Sequence, residues 1–258
     1  IYVPHVNIAK KHRRIDNMIK WGKTANSVLD YAKSIKKTNP TDGCLVVLSG
    51  GMDSATCLGL AKYVYNKVEC IVFNYGQQHT IEIQRAQEIA KYFEVKCTVI
   101  DLNGLANHFK TALKQNSDLE IPEKATEKGI VPPTYVPFRN TIMLSIALGY
   151  AESWDYKYVM YGANIVDYSG YPDCRPQYID AMNSVAMIHS NNLEIIAPIV
   201  YLDKSQIIKL GYELCVPYKM TWSCYRGGNK ACGKCPSCEY RLKGFREAGV
   251  QDPIAYES

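Results

Sequence analysis

No stretch of about 18 consecutive apolar residues occurs anywhere in the 258-residue sequence, so no membrane-spanning helix is expected. The opening IYVPHVNIAKKHRR is basic but has no apolar core of the kind an export signal needs, which argues against secretion. It also starts without Met, so a missing or processed N-terminus is expected. G-x-G-x-x-G is absent, which withdraws support from a dinucleotide-binding fold. Gly22-Lys23-Thr24 has the ending of a Walker A loop, but Asn17 stands where its first glycine belongs and no strand precedes it. There is no internal repeat and no low-complexity tract. An excess of charge is missing from most of the chain as well. The net +5 comes from residues 1–42, with nine Lys/Arg against three Asp/Glu, leaving 21 against 22 for the remainder. The body is therefore no platform for nucleic acid, and KKHRR at 10–14 reads as a solvated arm, with contact to an acidic partner as the alternative.

What is present is a globular composition, 47% apolar, enough for one α/β domain with an extension. Apolar residues at near-helical spacing from Ile15 to Ile35 predict an amphipathic helix, stopped by Asn39-Pro40-Thr41-Asp42-Gly43. From there, short apolar runs at 44–48, 69–74, 96–101, 157–162 and 193–199 read as strands buried on both faces. The segments 54–66, 79–93, 139–154 and 176–189 read as helices between them. This alternation predicts a parallel sheet with helices on both faces, whose ligands bind beyond the carboxyl ends of the strands. The expected organisation is a basic arm and helix over 1–43, an α/β nucleotide-binding domain over 44–215, and a C-terminal segment over 216–258 packed on that domain. The proline-bearing stretch 116–138 is either a lid or a surface excursion.

The first strand runs into LSGGMDSAT. A strand, a Gly-Gly turn and a helix start aim free backbone N–H groups and a helix dipole at one point, which makes an anion site. Ser49 and Ser54 add hydroxyls. Gly50 and Gly51 let backbone approach phosphate. The loop has no lysine for a γ-phosphate, and Asp53 would be repelled by an anion unless it held Mg²⁺ or ordered the loop.

Near the other end, Cys224, Cys232, Cys235 and Cys238 are spaced C-x₇-C-x₂-C-x₂-C. Four thiolates on short turns close a tetrahedron around one Zn²⁺ and leave no open position, so the metal's role is structural. An iron–sulfur cluster is the competing use of such a set. Ten cysteines without an export signal fit a reducing, cytoplasmic compartment. Cys44, Cys57, Cys70, Cys97 and Cys215 read as small core residues.

SGGMDS resembles the SGGxDS signature of the ATP-pyrophosphatase, or PP-loop, superfamily, which implies cleavage of ATP between its α- and β-phosphates. NYGQQH (74–79), VPFRNTIMLSIA (136–147), GANIVDYSGYPDCRPQYIDAM (162–182), LDKSQII (202–208) and the cysteine tail resemble, in that order, the 7-cyano-7-deazaguanine synthase family. The resemblance covers about 44–250. It implies adenylation of the carboxylate of 7-carboxy-7-deazaguanine, displacement of AMP by ammonia, and a second ATP-driven step to the nitrile. By motif position, Leu48, Ser49, Gly50, Gly51, Met52, Asp53, Ser54, Ala55 and Thr56 are expected to contact ATP. Asp53, Arg139 and Arg175 are the expected catalytic groups, since guanidinium forks suit phosphate and carboxylate. Tyr75, Gln77, Asn164 and Asp173 are expected at the substrate, with Tyr75 stacking on the base and Asp173 accepting from a purine-like N–H edge. His79 is expected either to cap a helix or to touch ligand. ATP, Mg²⁺ and Zn²⁺ are the implied cofactors, and the relatives point to a homodimer.

The chain departs from the family at three places. Phe138 stands where Gly is usual, so a large ring there must fill space or reshape a pocket wall. The interval from Cys224 to Cys232 is short, and residues 1–43 have no counterpart. These departures keep open an amide ligation of the deazaguanine to a protein amine in antiviral defence, and a tRNA thiolase of the same superfamily stays open as well.

Overall fold

A computed structural model describes residues 21–38, 41–77, 81–113, 118–122, 133–165, 171–190 and 192–257. The basic run at 10–14, His79 and part of 116–138 lie outside them. Five parallel strands form one sheet: β1 (Gly43–Val47), β2 (Lys67–Asn74), β3 (Lys96–Asp101), β4 (Tyr158–Tyr161) and β5 (Glu194–Ile196), in the order β3-β2-β1-β4-β5. Seven helices are described: α1 (Ala25–Thr38), α2 (Met52–Val64), α3 (Ile81–Tyr92), α4 (Arg139–Ser153), α5 (Pro176–His189), α6 (Lys204–Glu213) and α7 (Pro236–Ala248).

Because strand side chains alternate, β1 sends Cys44 and Val46 to one face and Leu45 to the other. The first face packs against α1, α2, α3 and α6 through Val28, Leu58, Ile89 and Ile207. The second packs against α4 and α5 through Leu144 and Ile179. The chain winds outward from β1 to β3, then crosses back to place β4 on the other side of β1. This reversal opens a crevice beyond β1 and β4, where ligands bind in such sheets.

Several expectations change. The N-terminal helix starts at Ala25 and does not run through Gly22-Lys23-Thr24. Thr24 and Ser27 cap its start: the Ser27 amide donates to Thr24 Oγ1 at 3.2 Å, and the Thr24 amide donates to Ser27 Oγ at 3.0 Å. β3 is not buried on both faces, because it forms a sheet edge and leaves Lys96, Val99 and Asp101 exposed. Cys44, Cys57 and Cys70 are core residues, whereas Cys97 is half-buried on that edge. Cys215 is exposed at φ +55° just past α6, where the chain leaves the helix. Helices α6 and α7 went unread, though both carried signals. Asp203 caps α6 by accepting from the Gln206 amide at 2.8 Å. Pro236 opens α7, and Gly249 closes it at φ +77°.

Phe138 is the N-cap of α4, with φ +55° and 68% exposure, so it neither fills space nor forms a cavity wall. The left-handed backbone explains why glycine suits this position.

At the opposite end of the sheet from the crevice, Glu69 lies on β2 with 5% exposure. Its carboxylate accepts from Tyr150 Oη (2.5 Å), Tyr156 Oη (2.7 Å) and Thr98 Oγ1 (2.7 Å), and pairs with Lys96 Nζ at 2.9 Å. Burial pushes its pKa up, but these donors outweigh burial and hold it at about 2. The folded value lies below the ordinary 4.5, so the stabilisation is present above about pH 4.5 and is lost as pH falls toward 2. Glu69→Gln is expected to lower stability at neutral pH by about 2 kcal/mol and to flatten the acid limb. Urea denaturation at a series of pH values measures both.

Candidate active site

The end of β1 and the start of α2 form the loop expected to bind phosphate, hereafter the phosphate loop. The Ser49 amide donates to Ser54 Oγ at 3.1 Å, and the two hydroxyls lie 3.0 Å apart. Gly51 is the N-cap and offers no side chain to the first amides of α2, so those donors stay available for an anion. Gly50 takes φ +80°, and a Cβ there would lie 2.3 Å from the Glu82 carbonyl oxygen. Gly162, just past β4, approaches the loop from the other side: a Cβ on it would come within 3.1 Å of the Ser54 amide nitrogen. The Trp222 amide donates to the Gly50 carbonyl at 2.9 Å, which ties the C-terminal segment to the loop.

A cavity of about 370 Å³ opens over this loop. Leu48, Ser49, Gly51, Met52, Asp53 and Ser54 line it. Gly50 turns the chain against α3 outside the lining, and Ala55 and Thr56 are buried beneath it. Thr56 Oγ1 there donates to the Met52 carbonyl at 2.9 Å.

Asp53 meets a residue from a distant element. Lys204, the first residue of α6, places Nζ 2.7 Å from Asp53 Oδ2, while Oδ1 is buried with no hydrogen-bond partner among the described residues. The lysine missing from the loop is thus supplied 151 residues later. LDKSQII contained the signal, since a capping Asp203 puts Lys204 at the helix start facing the crevice. The orphaned Oδ1 fits a divalent cation, which prefers carboxylate oxygen.

Arg139 begins α4 and reaches the cavity. Its Nη1 donates to Tyr75 Oη at 3.2 Å, and its guanidinium lies 5.6 Å from the centre of the Tyr75 ring. Burial disfavours its charge, but Tyr75, Tyr171 and Asp173 outweigh that and keep it a cation. Tyr75 is buried and engaged with this arginine. Gln77 lines the cavity, with its Oε1 accepting from the Tyr75 amide at 2.9 Å. Asn164 also lines it and donates to the carbonyls of Ile199 and Leu202, joining the β4 and β5 loops.

Asp173 stands behind the cavity wall, between the lining residues Tyr171 and Cys174. It is buried, with no hydrogen-bond partner for Oδ1 among the described residues, and its pKa is raised by burial against the opposing Arg139 charge. Arg175 is not brought to the cavity; it is exposed at the start of α5. Glu82, half-buried on the first turn of α3, lines the cavity and went unread. His79 and residues 166–170 lie outside the described residues.

The sulfurs of Cys224, Cys232, Cys235 and Cys238 all lie within 4.8 Å of one another and are buried. Amides of Arg226 and Cys232 donate to Cys224 Sγ at 3.4 Å, and those of Lys234 and Cys235 donate to Cys232 Sγ at 3.4 and 3.3 Å. Shared thiol protons hold Cys224 below the usual thiol range and push Cys235 and Cys238 above it. This cluster borders the site, because Cys224, Ser223 and Tyr225 line the cavity. Arg241, 1% exposed, braces the same segment through Asp252 at 2.7 Å and Thr221 Oγ1 at 2.7 Å.

The profile described as "Queuosine biosynthesis protein QueC" matches residues 43–249. A 7-cyano-7-deazaguanine synthase of Thermoplasma acidophilum is 47% identical over 222 residues, covering 83% of this chain and 91% of that protein. One of the same description from Oceanobacillus iheyensis is 45% identical, covering 82% of this chain and 97% of that protein. Another, from Coxiella burnetii, is 44% identical and covers 82% of this chain and 96% of that protein. With more than two thirds of its length matched at this identity, the chain belongs to the QueC family of queuosine biosynthesis proteins.

Proposed function

We propose that this chain converts 7-carboxy-7-deazaguanine to 7-cyano-7-deazaguanine, using ATP to activate first the carboxylate and then the amide. The observation that carries the reading is one cavity holding an uncapped phosphate loop, the Asp53–Lys204 pair and the Arg139 cation. The family and the names of its relatives support an enzyme of queuosine biosynthesis, and the site chemistry supports the finer steps.

The amides at the start of α2, with Ser49 and Ser54, take the β- and γ-phosphates. Lys204 and Asp53 lie beside them, and Asp53 Oδ1 would hold Mg²⁺, which would supply charge neutralisation for the departing pyrophosphate. Arg139 is placed to grip the carboxylate or the α-phosphate and to stabilise charge developing at phosphorus. The carboxylate oxygen attacks the α-phosphorus, pyrophosphate leaves, and ammonia then displaces AMP. The four cysteines would hold Zn²⁺, a closed set with a structural role, fixing the Trp222–Tyr225 strand against the cavity. The reaction belongs in the cytoplasm, and among the described residues no helix is long and apolar enough to cross a membrane. Ammonia is preferred to a protein amine as acceptor, because the relatives that match most of the chain are named 7-cyano-7-deazaguanine synthases.

Incubation with ATP, Mg²⁺, ammonium and 7-carboxy-7-deazaguanine, followed by mass spectrometry, is expected to give the nitrile. An amide as sole product, or unchanged substrate, overturns the reading. Asp53→Ala is expected to cut AMP and pyrophosphate release by about 100-fold or more while circular dichroism stays unchanged. A well-folded, fully active variant excludes this role. Elemental analysis is expected to find one Zn²⁺ per chain, lost with solubility in Cys235→Ser. Iron with acid-labile sulfide in the purified protein would contradict the zinc assignment.

A further inference from the structure

Glu82 combines three features that the activation chemistry leaves unused. It lines the cavity, and its carboxylate has no hydrogen-bond or ion-pair partner among the described residues. Its own carbonyl also packs on Gly50 of the phosphate loop. A carboxylate that only braced the fold would be expected to hold donors, as Glu69 does with four. Arg139 shares the cavity and lowers the Glu82 pKa through space, yet forms no ion pair with it. The two groups thus flank one space, a cation for the anionic reactant and an unengaged base for its partner.

Resting on the activation reading above, we propose that Glu82 is the general base of amide formation, taking the proton from the attacking ammonia nitrogen. The nitrogen lone pair forms the C–N bond to the acyl carbon. As the C–O bond to AMP breaks, its electron pair leaves on the AMP oxygen and one N–H proton passes to the Glu82 carboxylate. The products are the amide, AMP and a neutral Glu82, which returns its proton to solvent. The later conversion of amide to nitrile strips further protons from the same nitrogen, so a base at this position serves both stages.

The electrostatics agree with the geometry. Burial pushes the Glu82 carboxyl up to about 7, with the Arg139 charge opposing. A base is strongest when its pKa lies near the working pH. The elements packed on α3 are α2, β2, β3 and the 218–220 turn, which bring Asp53, Tyr75 just beyond β2, Asp101, Tyr218 and Lys219, and Arg139 on α4 shares the cavity. On α3 itself, Arg85 is paired with Glu88 at 2.8 Å. Of these, Arg139 is the charge that Glu82 feels. Since the ionised form acts, the rate falls as pH drops through about 7.

The test compares wild type with Glu82→Gln in three assays: pyrophosphate exchange into ATP dependent on 7-carboxy-7-deazaguanine, amide formation at constant free ammonia from pH 6 to 9, and hydroxamate formation with hydroxylamine. Hydroxylamine is far less basic than ammonia, and its adduct sheds a proton to water without help. The variant is expected to keep exchange within about 3-fold, which also shows that it is folded. It is expected to lose amide formation by about 100-fold or more and hydroxamate formation by less than about 10-fold. The acid limb near pH 7 in wild type should be absent from the variant. Exchange, amide and hydroxamate falling together would assign Glu82 to substrate binding or the fold and overturn the proposal. So would near-wild-type amide formation with its acid limb intact. A wild-type protein without exchange removes the activation reading, and the proposal with it.

Discussion

The site depends on backbone crowding around the phosphate loop. Gly50 lies against the Glu82 carbonyl, Gly162 lies against the Ser54 amide, and the Gly50 carbonyl accepts from Trp222. These contacts bring α3, the end of β4 and the C-terminal segment to the same few atoms. A side chain at 50 or 162 would push at least one of them away. The loop's amides therefore keep the direction that the helix start gives them, and the groups around the cavity inherit their positions from it.

This arrangement also relates the four-cysteine cluster to the cavity. The cysteines occupy the far end of the sequence, yet Trp222 to Tyr225 form cavity wall and bond to the loop. A buried Arg241 ion pair braces the same segment from behind. Four sulfurs would use up the coordination positions of a tetrahedral metal, so what a metal would contribute there is the rigidity of that wall.

Charge is distributed in the same spirit. Asp53 and Lys204 neutralise each other beside the loop, Arg139 shares their cavity, and Glu82 has no partner among the described residues. An anion site with two cations and two carboxylates can bind polyphosphate, position a second anion and still keep a base in reach. Arg175, chemically suited to the same work, is exposed between the 172–174 turn and α5 and does not line the cavity.

The sequence by itself determined the parallel α/β architecture, the phosphate loop and the four-cysteine set. Each rests on local chemistry: apolar periodicity, a glycine turn between strand and helix, and ligand spacing within fifteen residues. Phe138 shows the limit of that local reading, since its departure from glycine was visible but its left-handed, exposed conformation was not. Tertiary structure alone decided which distant residues share the cavity. Lys204 meets Asp53 across 151 positions, Glu82 faces Arg139, and Arg175 is left outside. The physical reason is the winding of the sheet. Reversal beside β1 converges the ends of separate strands and helices on one crevice, and pattern along the chain carries no record of that convergence.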